Sequence, residues 1–326
     1  MRRFTLPIIL LLLCMAAEKA VAQTDVLFSQ YYQAPSFYNP AMTGATDYLN
    51  IRAGSRMQWV GVDGAPTTFT GLADMPFKLF GKRFGVGVKV MTEKIGLYNT
   101  LDFSAQLSYK FKKFGGEFSV GLGAGMYDQK FRGSEVFIPD DDDFHQSTDE
   151  AIPTQDIHGT ALDLSAGLSY THRLFYAGIS CLHLTSPTVT MKIDGSETAQ
   201  ERNFEFKADR TLYFTAGSNI PIKNTLFELM PSVIVATDFN FTTAVITARA
   251  RYRKMFTFGI GYRWDDAVYA TLGAELKGFF IGYSYDYSTS AIAKASSGSH
   301  EVFAGYRLKL NLGEKNRNKH KSVRIM

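Results

Sequence analysis

Leu101, Phe103, Ala105, Leu107, Tyr109 and Phe111 alternate with Asp102, Ser104, Gln106, Ser108 and Lys110. A strand turns successive side chains to opposite faces, so this segment has one apolar and one polar face. The pattern returns to the end of the chain in about fourteen segments of about ten residues, the length of a membrane-crossing strand. In hydrocarbon an open sheet edge leaves backbone groups unpaired at several kcal/mol each, so such a sheet must close on itself. The predicted fold is all-β: an antiparallel transmembrane β-barrel of about fourteen strands. Aromatic residues make up 14% of the chain, yet mean hydropathy is only −0.09. Apolar residues spread by alternation cover a surface without raising the average. A soluble β-sandwich would also alternate, but with connections of irregular length.

The two ends support export. Arg2 and Arg3, an apolar run over 6–15 and the small-residue site Ala20-Val21-Ala22 read as a signal peptide, 1–22. The run is too short for a membrane-spanning helix. Cys14 follows Leu13 rather than a small residue, which argues against lipidation. Cys181 is then the one cysteine left, a small hydrophobe on a strand face. The expected division is 23–48 as a periplasmic N-terminal segment or plug, 49–313 as outer-membrane barrel, and 314–326 as a basic tail. Without signal and tail, 27 basic residues face 29 acidic ones, so nothing supports nucleic-acid binding.

Connections alternate in length. A short, basic set covers 78–83, 112–116, 172–173, 221–224, 253–254 and 277–278; a longer set covers 61–66, 94–99, 132–158, 186–209, 238–242 and 288–299. Outer-membrane barrels have short periplasmic turns and longer outer loops. Lys78, Lys82, Arg83, Lys112, Lys113, Arg173, Lys223, Arg253 and Lys254 would therefore ring the periplasmic mouth, extended by Lys315, Arg317, Lys319, Lys321 and Arg324. This ring is either a solvated rim or an electrostatic dock for an acidic partner. Arg52, Arg56, Arg249, Arg263 and Arg307 fall on the polar, lumen-facing side, where a charge costs little.

No chemistry-bearing constellation emerges. The acidic run 140–143 lacks the spacing of a calcium loop, and the six histidines show no zinc pattern. No Ser-His-Asp set has a supporting context such as GxSxG. Catalysis, cofactors and metal are not expected.

Three stretches carry a family likeness. Phe28-Ser29-Gln30-Tyr31 is followed by Asn39-Pro40-Ala41 and Gly44-Ala45; Arg56-Met57-Gln58-Trp59 by Gly64-Ala65-Pro66-Thr67-Thr68; and Tyr285-Asp286-Tyr287-Ser288-Thr289-Ser290 by Gly298-Ser299-His300-Glu301. These resemble the entry segment, first hairpin and closing hairpin of the PorP/SprF outer-membrane proteins of type IX secretion. The resemblance implies a non-enzymatic role in protein export, surface attachment of cargo or gliding machinery, with periplasmic secretion components or exported proteins as partners. The alternative is a FadL-like channel for small anionic or hydrophobic solutes. Tyr31, Tyr32, Phe37 and Tyr38 would pack in the lumen if the entry segment is a plug; otherwise it lies along the mouth. His300 and Glu301 are expected to meet Asp286 or Tyr287 across the closing hairpin.

Overall fold

Alternation closes into a cylinder. The computed structural model describes residues 25–136, 153–193 and 204–311. The strands are β1 (Tyr48–Met57), β2 (Thr67–Leu79), β3 (Lys82–Ile95), β4 (Tyr98–Lys113), β5 (Gly116–Arg132), β6 (Asp156–Thr171), β7 (Phe175–Leu182), β8 (Thr188–Ile193) and β9 (Phe204–Lys207). They continue as β10 (Thr211–Ser218), β11 (Ile220–Pro221), β12 (Phe227–Leu229), β13 (Ser232–Thr237), β14 (Thr242–Tyr252), β15 (Phe256–Arg263), β16 (Ala267–Leu276), β17 (Phe279–Ser288) and β18 (Ser299–Lys309). All ladders are antiparallel, and β1 pairs with β18 from Tyr48↔Lys309 to Met57↔His300, which removes both edges. Asn219 separates β10 from β11, and Met230 with Pro231 separates β12 from β13, so each pair forms one broken stave. The barrel of the described residues has 14 staves.

Each wall presents opposite chemistry to its two sides. On β4, Leu101, Phe103 and Leu107 are exposed on the outer surface, whereas Asp102, Ser104, Gln106, Ser108 and Lys110 are buried inside. β7 and β2 sort their side chains in the same way. On β7, Phe175 and Ile179 face out and Ser180 and Leu182 face in; on β2, Phe69 and Met75 face out and Thr68, Thr70, Leu72 and Asp74 face in. Near one mouth an aromatic band crosses β2 to β7 through Phe77, Phe84, Tyr109, Phe111, Phe118, Tyr170 and Phe175, with successive ring centroids 4.6–5.9 Å apart. Such girdles mark a membrane–water interface.

The connections depart from expectation in two places. Positions 94–99 form a tight turn at Gly96 and Leu97, because β3 and β4 stay paired out to Ile95↔Tyr98. The segment 186–209 contains the β8–β9 hairpin, which joins the wall where Ile193 pairs with Ile157 of β6. β4 and β5 have 16 and 17 residues. A crossing needs only about 9–11, so these hairpins rise past the bilayer at the outer mouth.

Candidate functional site

The lumen is filled by the chain itself. Residues 25–47 run through it from the outer mouth to the periplasmic one. At the outer end Asp25 Oδ1 lies 3.0 Å from His183 Nε2 in the loop after β7, and the Tyr213 hydroxyl donates to Asp25 Oδ2 at 3.1 Å. At the other end Asp47 pairs with Arg83 at 2.8 Å. Three short turns compact the segment: Tyr31–Gln33, Pro35–Tyr38 and Pro40–Met42. Proline leads two of them, where its missing N–H costs nothing. The Asn39 carboxamide accepts from Ala41 N at 2.9 Å, capping the last turn. Its Nδ2 donates to the carbonyls of Leu168 at 3.0 Å and Ile179 at 3.3 Å, binding the turn to β6 and β7.

Apolar packing holds the middle. Phe28, Tyr31, Phe37 and Tyr38 are buried, and Phe28 meets Phe37 and Phe303 edge-on at 5.3 and 5.1 Å. Lys89, paired with Asp102 at 2.6 Å, sits 5.0 Å from the Phe37 ring centre. Tyr31 donates its hydroxyl to Ser232 Oγ at 2.8 Å.

The residues of the three likeness-bearing stretches meet at one point. Ser29 Oγ donates to Asp286 Oδ2 at 2.6 Å and accepts from Arg263 Nη2 at 2.8 Å and Arg56 Nη1 at 3.1 Å. The backbone N–H groups of Ser29 and Gln30 donate to the two oxygens of Glu301 at 2.8 and 2.7 Å. Arg56 bridges Asp286 at 2.9 Å and Glu301 at 3.0 Å, with its side chain 1% exposed and that of Glu301 0%. Two guanidiniums balance two carboxylates, the condition under which buried charges are tolerated.

Glycines make room for this segment. A Cβ on Gly121 would lie 2.2 Å from Ala41 N, on Gly85 2.1 Å from Thr43 O, and on Gly282 2.2 Å from Gln30 Oε1. Inward-facing hydroxyls and cations then grip its carbonyls: Ser119 Oγ and Lys110 Nζ donate to Ala41 O at 2.7 and 3.1 Å, and Ser180 Oγ to Tyr38 O at 2.6 Å.

At the outer anchor, burial depresses the His183 imidazole. The attraction of Asp25, with Asp163 3.1 Å from the other ring nitrogen, outweighs it and carries His183 up to about 10. Burial likewise raises the Asp25 carboxyl, and His183 brings it back below its ordinary value.

The periplasmic mouth is cationic. Lys78, Lys82, Lys112, Lys113, Arg173, Lys223, Arg253, Lys254 and Lys277 are exposed at its turns and have no carboxylate within 4.0 Å among the described residues. The acids at this end are already committed: Asp47 and Glu117 to Arg83, Glu228 to Arg251, and Glu275 to Arg307. Arg83 is therefore a wall residue rather than a free rim cation. Phe80 and Phe114 crown two neighbouring turns, 91% and 77% exposed and in the left-handed backbone region.

Residues 20–306 match the family described as type IX secretion system membrane protein PorP/SprF. The chain belongs to the PorP/SprF family. A search of curated proteins finds no match. Among solved structures it is similar to a Pseudomonas aeruginosa FadL homologue (TM-score 0.49, 11% identity, covering 86% of this chain and 94% of that one). It is also similar to the deltaS2S3 mutant of the monoaromatic hydrocarbon channel TodX (0.48, 10%, 85% and 94%) and to outer membrane phospholipase A from Escherichia coli (0.34, 9%, 83% and 98%). This PorP/SprF chain is an outer-membrane β-barrel protein.

The lumen arginines are largely neutralised. Arg52 pairs with Asp74 at 2.8 Å, Arg56 and Arg263 share Asp286, and Arg307 pairs with Glu275 near the periplasmic rim. Arg249 lies 3.4 Å from the Tyr32 ring centre. His300 differs from expectation. Glu301 points inward to the cluster, so its neighbour points outward, where His300 Nδ1 lies 2.7 Å from the Tyr283 hydroxyl. Sequence reasoning missed Asp74, which receives Gly44 N and Asn50 Nδ2 at 3.0 Å each, and the Asp25–His183 anchor. A mid-strand charge on an inward position was the available signal for Asp74. Among the described residues no group of three or more His, Cys, Asp or Glu is arranged to hold a metal. The signal peptide with Cys14, the acidic run 140–143 and the basic tail lie outside the described residues.

Proposed function

We propose that this PorP/SprF chain is a non-catalytic scaffold of the type IX secretion apparatus, working through protein contacts at its two mouths. The observation that carries this reading is the ring of unpaired cations around a lumen that the chain's own segment fills. A segment-filled lumen argues against solute flux, and of the five lumen arginines all but Arg249, which lies on the Tyr32 ring, have a carboxylate partner, so they form no continuous free cationic track for an anion. The periplasmic ring suits an acidic secretion component, for which charge sets encounter rate and orientation more than affinity. The elongated outer hairpins suit exported cargo held at the surface.

The test is cross-linking in cells followed by co-purification, with Lys78, Lys112, Lys113 and Lys254 reversed together to Glu. Recovery of periplasmic secretion components is expected to fall several-fold at about 50 mM salt, and wild-type recovery to weaken by about 300 mM as screening sets in. Recovery unaffected by either change contradicts the docking role. Solute flux through liposomes carrying the wild-type protein would favour the channel instead.

A further inference from the structure

The outer mouth holds a cavity of about 370 Å³, bounded by Asp25 and Val26, by the outer ends of β3–β5 and by the β8–β9 hairpin. Its walls are aromatic. Tyr127 and Phe206 stack with centroids 6.1 Å apart and planes at 6°, and Tyr98 meets Phe206 at 6.4 Å. Four carboxylates line it, Asp25, Glu93, Asp209 and Asp238, against a single lining cation, Lys207. Two of the four are occupied: Asp25 by His183 at 3.0 Å and Asp209 by Lys207 at 3.6 Å. Glu93 and Asp238 have no cation within 4.0 Å among the described residues. Half-buried Glu93 receives only the Thr68 hydroxyl, at 3.0 Å, and Asp238 receives the backbone N–H groups of Asn240 and Phe241 at 2.8 and 2.6 Å.

A carboxylate taken partly out of water without a counter-charge carries a desolvation cost that an incoming cation relieves. Aromatic faces attract the same species, and they repel anions brought near their negative clouds. A planar guanidinium satisfies both at once, stacking on a ring while its edge donates to carboxylates. The volume is at the lower end of the about 300–1,000 Å³ typical of ligand pockets, enough for one long side chain and an apolar neighbour.

We propose that this vestibule is a receptor site for a basic side chain, arginine above lysine, presented from the cell-surface side on a short protein segment beside an aromatic or aliphatic residue. The proposal rests on the surface-attachment half of the proposed function and names the chemistry that half would recognise.

The test uses the full-length protein in detergent and blocked tetrapeptide amides of sequence Gly-Arg-Phe-Gly, with citrulline or Glu in place of the arginine, followed by calorimetric titration. The arginine peptide is expected to bind saturably and at least about tenfold more tightly than the citrulline and Glu peptides, a difference sized for a charge-assisted contact. The combined variant Glu93→Gln, Asp209→Asn, Asp238→Asn keeps shape and hydrogen-bond acceptors and is expected to lose that preference while keeping its heat-modifiable mobility on gels. If the variant does not fold, displacement of the arginine peptide from the wild type by free argininamide, and not by citrulline amide, serves instead. Equal affinity for the three peptides, or no saturable binding of the arginine peptide, overturns the site. Retention of periplasmic partners is measured separately, so losing this site leaves the scaffold reading standing, and the reverse.

Discussion

Arg56 and Glu301 carry a large share of the segment's attachment to the wall. Neither can be solvated where it sits, so removing one partner strands the other. Glu301→Gln leaves Arg56 with Asp286 as its one carboxylate partner among the described residues and weakens the acceptors of Ser29 N and Gln30 N. We expect Glu301→Leu, which removes the charge and the acceptors, to destabilise the folded barrel by about 3–5 kcal/mol, the usual result of breaking a buried pair, and Glu301→Gln by less; both are read from unfolding in detergent. His183 supplies a pH-dependent term. Its pKa in the folded protein, about 10, exceeds the ordinary 6.5, so its stabilisation is fully present below about pH 6.5 and is lost as pH rises through about 10. The gap in Tm between wild type and His183→Gln should be widest near pH 6 and shrink toward pH 10. Ser29, Gln30, Arg56, Asp286 and Glu301 all stood in the likeness-bearing motifs, but their convergence was not legible. It depends on inward register on three strands at once, and one-dimensional spacing does not encode which inward residues share a depth.

At the scale of elements, the strands were the legible part, because a period of two survives even when boundaries blur. What hid was material lacking that period. The β8–β9 hairpin sits within a segment whose composition reads as loop, and an inward glycine carries no side chain to mark the face it occupies. Such glycines are the cradle for the N-terminal segment. Gly121→Ala should therefore dislodge it, whereas Gly273→Ala, whose added Cβ meets nothing closer than 3.6 Å, should not. The readout is entry of a bulky antibiotic into cells: raised sensitivity for the first variant and wild-type sensitivity for the second. The direction of threading is tested by cysteine labelling in a Cys181→Ser background. Asp25→Cys should react with a membrane-impermeant maleimide on intact cells, and Lys113→Cys only after the outer membrane is opened. The reverse pattern contradicts the sidedness.

The whole molecule divides its work between surfaces. Hydrocarbon covers the apolar belt, the chain's own segment covers the polar interior, and the two mouths remain. One mouth is cationic and tipped with phenylalanine; the other, among the described residues, holds a cavity lined by four carboxylates and aromatic rings. The cationic mouth was legible in the short basic turns, whereas the carboxylate-lined cavity was not, because Asp25, Glu93, Asp209 and Asp238 lie far apart in sequence and meet only in the closed barrel. A 14-stranded wall emptied of its segment would be a pore; the proposed scaffold role requires that the seated segment close it. Planar-bilayer recording of the purified protein tests this most directly. Wild type is predicted to insert without discrete conductance steps, and Gly121→Ala to show them; steady open-pore conductance from the wild type would contradict the account.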